Sequence, residues 1–249
     1  MKKYDLHIHS VYSDGLNTIE EIVVSAIEKG FDMIGISDHS YTDFDKSYCI
    51  KKEDLRDYYN EINDLKKKYC EKIRIYAGIE QDYYSVDSGI EFDYKIGSVH
   101  YIRVNEHYLP IDESKDILLN DVKQHFNDDI YAYIECYFDT VSNVIEKTNA
   151  DIIGHIDLIN KFNENDCLFD TKNSRYINAY QKACDKLLNT ARYFEINTGA
   201  MSRGYRSAPY PSNDIYNYLH DKGAKFILSS DSHSADTIGF LFDKYKNLI

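Results

Sequence analysis

Two histidines stand two residues apart in Asp5-Leu6-His7-Ile8-His9-Ser10. Residues 3–8 read as a strand, and side chains two apart on a strand share a face, so His7 and His9 project together from its end. Two neutral imidazoles on one rigid element make half of a metal site. Read alone, the pair is equally a polar strand edge. The recurrence of such residues after later apolar runs weighs against that reading. Asp38-His39, Glu80, His100, His155 and Asp231-Ser232-His233 each follow a segment with the character of a strand. Asp14, in the turn Ser13-Asp14-Gly15, reads by itself as a turn former. Asp231, between two serines, also suits a helix cap. His107, His125 and His220 fall in a loop or on helices and carry no metal signal.

The elements that would position these residues alternate regularly. Helices are expected over 18–29, 53–69, 118–126, 132–147, 174–189, 212–220 and 236–245. The first has a Thr18/Glu21 capping box and Gly30 as its stop, and Ser212 and Gly223 bracket the 212–220 helix. Strands are expected over 31–37, 73–79, 94–99, 151–154, 191–196 and 225–229, besides the first. Residues 105–116 read as a loop inside a long, tyrosine-rich crossover from 101 to 149. Strands alternating with helices imply a parallel sheet with right-handed crossovers, and seven such units without a linker favour a barrel. In a βα barrel the C-terminal strand ends share one face, where active sites lie. Six of the nine histidines would then meet at one mouth.

The 249 residues suit one domain, residues 1–249, and 43% hydrophobic content is enough for a sizeable core. A formal charge of −13 argues against gripping long nucleic acid, which depends on Lys and Arg. The five cysteines are odd in number, scattered, and never spaced Cys-x-x-Cys, which suits reduced thiols in a cytosol. With no apolar leader at the start and no apolar stretch of membrane-spanning length, a cytoplasmic protein without membrane contact is expected.

Taken in order, His7-x-His9, Asp38-His39, Glu80, Gly97-Ser98-Val99-His100, Gly154-His155-x-Asp157 and Asp231-x-His233 resemble the PHP (polymerase and histidinol phosphatase) superfamily. Glu195-Ile196-Asn197-Thr198-Gly199 followed by Tyr210-Pro211-Ser212 is similar to its histidinol-phosphate phosphatases. The resemblance implies an α/β fold, a distorted (β/α)7 TIM-like barrel, with three divalent metal ions. By that likeness His7, His9, Glu80 and Asp231 hold the first metal. Glu80 bridges to a second held by His100 and His155, and Asp14, His39 and His233 hold a third. Many relatives have His in place of Asp14. Mixed imidazole and carboxylate ligands accept Zn, Fe or Mn alike.

The reaction implied is hydrolysis of the small phosphate ester L-histidinol phosphate by metal-activated hydroxide, in histidine biosynthesis, with Glu80, Asp231 and His233 at the reacting centre. The absence of an Asp-x-Asp-x-Thr or Cys-x5-Arg motif implies hydrolysis without a phosphoenzyme. Arg203, Arg206 and Lys161 are the expected phosphate contacts. Relatives often carry Arg where this chain has Asn160, with Lys161 next to it as a substitute. Asp82 and Tyr101 are expected in the pocket for the rest of the substrate, and Asp157 behind a ligand. The alternatives are a phosphoesterase for nucleotides, short oligonucleotides or other small esters, and a non-catalytic metal-binding module.

Overall fold

A computed structural model describes residues 2–249. In chain order its elements are β1 (Tyr4–Asp5), α1 (Ile19–Glu28), β2 (Met33–Ile36), α2 (Leu55–Lys68), β3 (Arg74–Asp82), β4 (Tyr94–Ser98), β5 (Tyr101–Val104), β6 (His107–Pro110) and α3 (Lys115–Phe126). There follow α4 (Ile130–Ser142), α5 (Val144–Thr148), β7 (Ile152–Ile153), α6 (Ser174–Leu187), β8 (Tyr193–Asn197), α7 (Gly199–Ser202), α8 (Asn213–Asp221), β9 (Phe226–Ser229) and α9 (Phe242–Tyr245). Seven strands pair in the order β1-β2-β3-β4-β7-β8-β9, every pairing parallel, as alternating βα units require. The ring closes beyond the ends of β1 and β9. There Ile8 pairs with Ser232, His9 N donates to Ser232 O at 2.8 Å, and Ser232 N donates to His7 O at 3.1 Å.

Local chemistry explains the helices. The Thr18 hydroxyl accepts from Glu21 N while the Glu21 carboxylate accepts from Thr18 N, and Gly30 leaves the helix at φ +69°. Ile19, Ile22, Val23 and Ala26 form the buried stripe of α1, and Leu55, Tyr58, Ile62 and Leu65 that of α2. The tyrosines supply core volume that keeps its polar end satisfied. Tyr58 reaches the carbonyls of Ile36 and Gly78 at 3.0 and 2.9 Å, and Tyr137 reaches that of Ile156 at 3.1 Å. Inside the barrel the Tyr94 ring lies directly on the backbones of Gly35 and Gly78, and its hydroxyl donates to Leu6 O at 2.5 Å. A Cβ at either glycine would meet that ring, so this layer requires glycine.

Three expectations are corrected. The segment expected as a loop over 105–116 contains the second strand of a hairpin: β5 and β6 pair antiparallel from Tyr101↔Pro110 to Val104↔His107. Asn105, at φ 54°, supplies the left-handed turn that joins them. The helix expected over 132–147 is two, divided at Asn143, whose side chain turns back to Asp139 O. The closing helix expected over 236–245 is a 3-10 turn, Ala235–Thr237, and the single turn of α9. Gly239 and Leu241 both have positive φ between them, and Gly239 N is bound to the Asp5 carboxylate. All five cysteines are free. Among the described residues no helix is long and apolar enough to cross a membrane.

The layer around Tyr94 yields a stability test. Gly78→Ala is expected to destabilise the protein by about 1–3 kcal/mol through overpacking, measured by chemical denaturation. Combined with Tyr94→Ala, which opens the space, its cost should be less than additive. Additive costs would place the strain elsewhere.

Candidate metal centre

Every ligand-type residue singled out in the sequence arrives at the barrel's C-terminal mouth. His7 and His9 follow β1, His39 follows β2, and Glu80 lies in β3, paired across to His39. His100 follows β4, His155 follows β7, and Asp231 and His233 follow β9. Glu80 is the hub. Its carboxylate lies 3.2 Å from His7 Nε2, 3.6 Å from His9 Nε2, 2.9 Å from His39 Nδ1, 3.6 Å from His100 Nε2 and 3.0 Å from His155 Nε2. Asp231 Oδ1 is 3.2 Å from His9 Nε2 and 3.8 Å from His7 Nε2. Asp14 Oδ2 is 3.2 Å from His233 Nε2, and Asp14 Oδ1 is 3.7 Å from His39 Nε2.

Three sets bring their ligand atoms within 4.8 Å of one another: His7, His9 and Glu80; His39, Glu80 and His100; and His9, Asp14, His39 and His233. His7 Nε2, both nitrogens of His9, His39 Nδ1, Glu80 Oε2 and His155 Nδ1 are buried and make no hydrogen bond of good geometry. Buried polar atoms are ordinarily paired. So many orphaned atoms facing one another suit cations bound among them, and the mixed nitrogen and oxygen donors suit Zn, Fe or Mn.

With only its own protons to balance it, the cluster is a lattice of imidazolium and carboxylate. Burial opposes charge throughout, but neighbours outweigh it at most positions. The carboxylates of Glu195, Glu80 and Asp231 hold His7 well above the usual imidazole range, against burial. Burial would push His39 down as well, yet Glu80 and Asp14 raise it to about 10. His9, buried between His233 and His39, is pushed down to about 3. Burial would raise Glu80, but His7, His39 and His100 hold it well below the usual carboxylate range. Asp231 is held down likewise by Arg203 and His7. Asp231 also has φ 47°, an uncommon conformation for aspartate that aims its side chain into the cluster.

Several acids stand behind the cluster. Glu195, in β8, accepts from His7 Nδ1 at 2.7 Å and from His155 N at 3.1 Å, and so fixes the face His7 presents. In the sequence Glu195 stands within Glu195-Ile196-Asn197-Thr198-Gly199 with no role assigned to it. Its position two residues before Asn197, alternating with Ile196 on a strand, was the available signal. Asp82, expected in the substrate pocket, is buried and accepts instead from His100 N at 2.9 Å and His100 Nδ1 at 3.2 Å. Asp38 accepts from Ser10 N at 2.7 Å, Ser10 Oγ at 2.8 Å and Ser13 N at 3.2 Å, fastening the loop that carries Asp14. Asp157, expected behind a ligand, holds Asn160 and the Ser212 amide, both at 2.9 Å.

Over the cluster opens a cavity of about 360 Å³. Arg203 and Lys161 line it, as do the acids Asp45, Asp112 and Glu113. Arg203 Nη1 reaches His233 Nδ1 at 2.7 Å, and Arg203 Nη2 reaches Asp231 Oδ2 at 3.3 Å. Lys161 Nζ holds the Asp112 carboxylate at 2.9 Å. Burial pushes Asp112 up, but Lys161 outweighs it and keeps Asp112 ionised. Tyr101 lines the cavity as expected, its hydroxyl on Asp45. Arg206 does not line it: its guanidinium lies 4.8 Å from the Tyr210 ring centroid.

This arrangement is that of a metal-dependent phosphatase barrel, and comparison gives it a family. The family model described as PHP domain matches residues 5–199, and the chain belongs to that family. Histidinol-phosphatase of Bacillus subtilis is 26% identical over 269 residues, covering 98% of each chain. A crystal structure from Listeria monocytogenes superposes with a TM-score of 0.82 at 22% identity, over 98% of this chain and 100% of its own. The crystal structure of histidinol phosphate phosphatase from Lactococcus lactis, complexed with Zn, L-histidinol and phosphate, gives 0.72 at 22% identity over 100% of this chain and 92% of that one. The chain is accordingly a hydrolase of the phosphatase type that works with divalent metal.

Two measurements check the cluster. Metal must displace the protons that its carboxylates hold on His7 and His39, so binding should release protons, and the apparent zinc affinity should rise between pH 6 and 8. Titration calorimetry in buffers of different ionisation enthalpy reads both effects, and a pH-independent affinity would contradict them. Glu195→Gln should weaken metal retention or activity roughly 10- to 100-fold by loosening His7. Metal content after dialysis checks this directly.

Proposed function

We propose that the chain hydrolyses L-histidinol phosphate to L-histidinol and inorganic phosphate, as a step in histidine biosynthesis in the cytoplasm. His7, His9, Glu80 and Asp231 would hold one cation. His100 and His155 would hold a second that shares Glu80, and Asp14, His39 and His233 a third. Once bound, the cations supply Lewis acidity toward water and the phosphoryl oxygens and neutralise the phosphate dianion. The chain's own residues do the rest. Arg203, anchored beside Asp231 and His233, presents its guanidinium to the phosphate, and Lys161 supplies a second cation beside it. Glu80, Asp231 and His233 fix the centre at which the ester reacts.

The observation that supports the choice of substrate is the acids in the cavity lining beside its two cations. A phosphate seated at Arg203 would leave the remainder of the ester among the acids of the lining, Asp45, Glu113 and the Lys161-paired Asp112. An acidic wall suits the ammonium and imidazole of histidinol phosphate and repels polyanionic nucleotides. Those three acids replace Asp82 as the groups facing the organic part of the substrate. Asp45 lies far along the chain from Asp112 and Glu113, and nothing local in the sequence joins them.

Phosphate release from L-histidinol phosphate should exceed that from 5′-nucleotides, 3′-nucleotides and sugar phosphates in a parallel panel, with metal counted on the same sample. Preference for nucleotides would overturn the substrate assignment, and full metal without turnover of any ester would overturn catalysis. Arg203→Ala should lower kcat/KM for histidinol phosphate roughly 100-fold, the scale of losing one charge-stabilising donor.

A further inference from the structure

The barrel mouth takes six of the nine histidines. Two of the remaining three meet elsewhere. His107 opens β6 and His125 lies in the last turn of α3, and their ring centroids are 5.1 Å apart at 47°. His7 and His9, in the metal centre, stand in nearly the same relation, 5.1 Å at 44°. Packing explains the meeting. β6 leads into α3, and Leu109 and Ile111 share a buried core with Leu118 and Val122, so the helix folds back along the strand.

A carboxylate stands with the two rings. Asp121 lies one turn before His125, and residues four apart share a helix face. It is 8% exposed, and its Oδ2 is buried without a hydrogen-bond partner. Burial holds it above the usual carboxylate range; His125 opposes that rise, and the Glu113 carboxylate adds to it. A buried carboxylate oxygen that no donor satisfies is costly, and a cation beside it removes the cost. The ligand atoms of the three residues do not all lie within 4.8 Å of one another, as those of the sets at the mouth do. His107 is exposed, so its ring turns toward the other two without disturbing the core.

We propose that His107, His125 and Asp121 form a further metal site, besides those at the barrel mouth, for one divalent ion of zinc's class. Two imidazoles and one carboxylate, completed by water, make a four-coordinate zinc site. The ion joins the start of β6 to the end of α3. The segment between these two elements carries Asp112 and Glu113 of the cavity lining, so the site fastens both supports of that segment.

Equilibrium dialysis of the parent, His107→Gln, His125→Gln and Asp121→Asn against a series of free zinc concentrations tests this. The parent should take up one equivalent of zinc more than either histidine variant, and Asp121→Asn should take it up only at higher free zinc. Zinc at the barrel mouth is common to all four proteins and cancels in the comparison. Both histidines are at least partly exposed, so the zinc-free histidine variants should keep the parent's Tm. Zinc should then raise the Tm of the parent more than theirs. Equal uptake by the parent and both histidine variants would overturn the site. Uptake by Asp121→Asn at the same free zinc as the parent would overturn the carboxylate's place in it.

Discussion

The structure is organised around one buried carboxylate. Glu80 is 1% exposed, and it would cost several kcal/mol to bury its charge without compensation. Five imidazoles stand within 3.6 Å of it, and His7, His39, His100 and His155 supply that compensation. Each comes from a different strand end except for the His7 and His9 pair. The cluster therefore needs four strands in register and a ring that closes. Protons or divalent cations can balance the same carboxylate, so metal binding exchanges one set of positive charges for another within a prebuilt frame.

Ring closure and site assembly are one event. The bonds that join the two ends of the sheet run through His7, His9 and Ser232, the ligand-bearing residues and their neighbour. Directly below, the Asp5 carboxylate accepts from the amides of Ser230, His7 and Gly239, tying β1, the end of β9 and the closing turn together. Rigid strands set the deeper ligands, while the loop that carries Asp14 depends on Asp38 and its two serines. That makes Asp14, with its side chain 34% exposed, the most accessible member of the cluster.

Much of this was legible in the sequence. His7 and His9 read correctly as a pair because strand periodicity is local, and α1 read correctly because its capping box spans only four residues. The strand-end positions of His39, Glu80, His100, His155, Asp231 and His233 followed from counting apolar runs. Elements set by short-range competition were harder. The β5–β6 hairpin turns at Asn105-Glu106 without a glycine to mark it. The closing segment breaks at Leu241, a residue whose side chain gives no warning of a positive φ.

The sequence by itself determined which residues could bind metal, and that an alternating βα chain would bring them to one face, because ligand chemistry and side-chain periodicity are properties of neighbouring residues. Only the tertiary structure decided the roles of the remaining charges. Asp82 turned inward to His100, Glu195 came to hold His7, Arg206 faced Tyr210, and Asp45, Asp112 and Glu113 came to line one cavity. Asp82 and Asp45 are both acids at or after the end of a strand, and residue type alone does not distinguish them. What separates them is which partners the barrel brings within about 3 Å, the range over which a hydrogen bond or ion pair can compensate a buried charge.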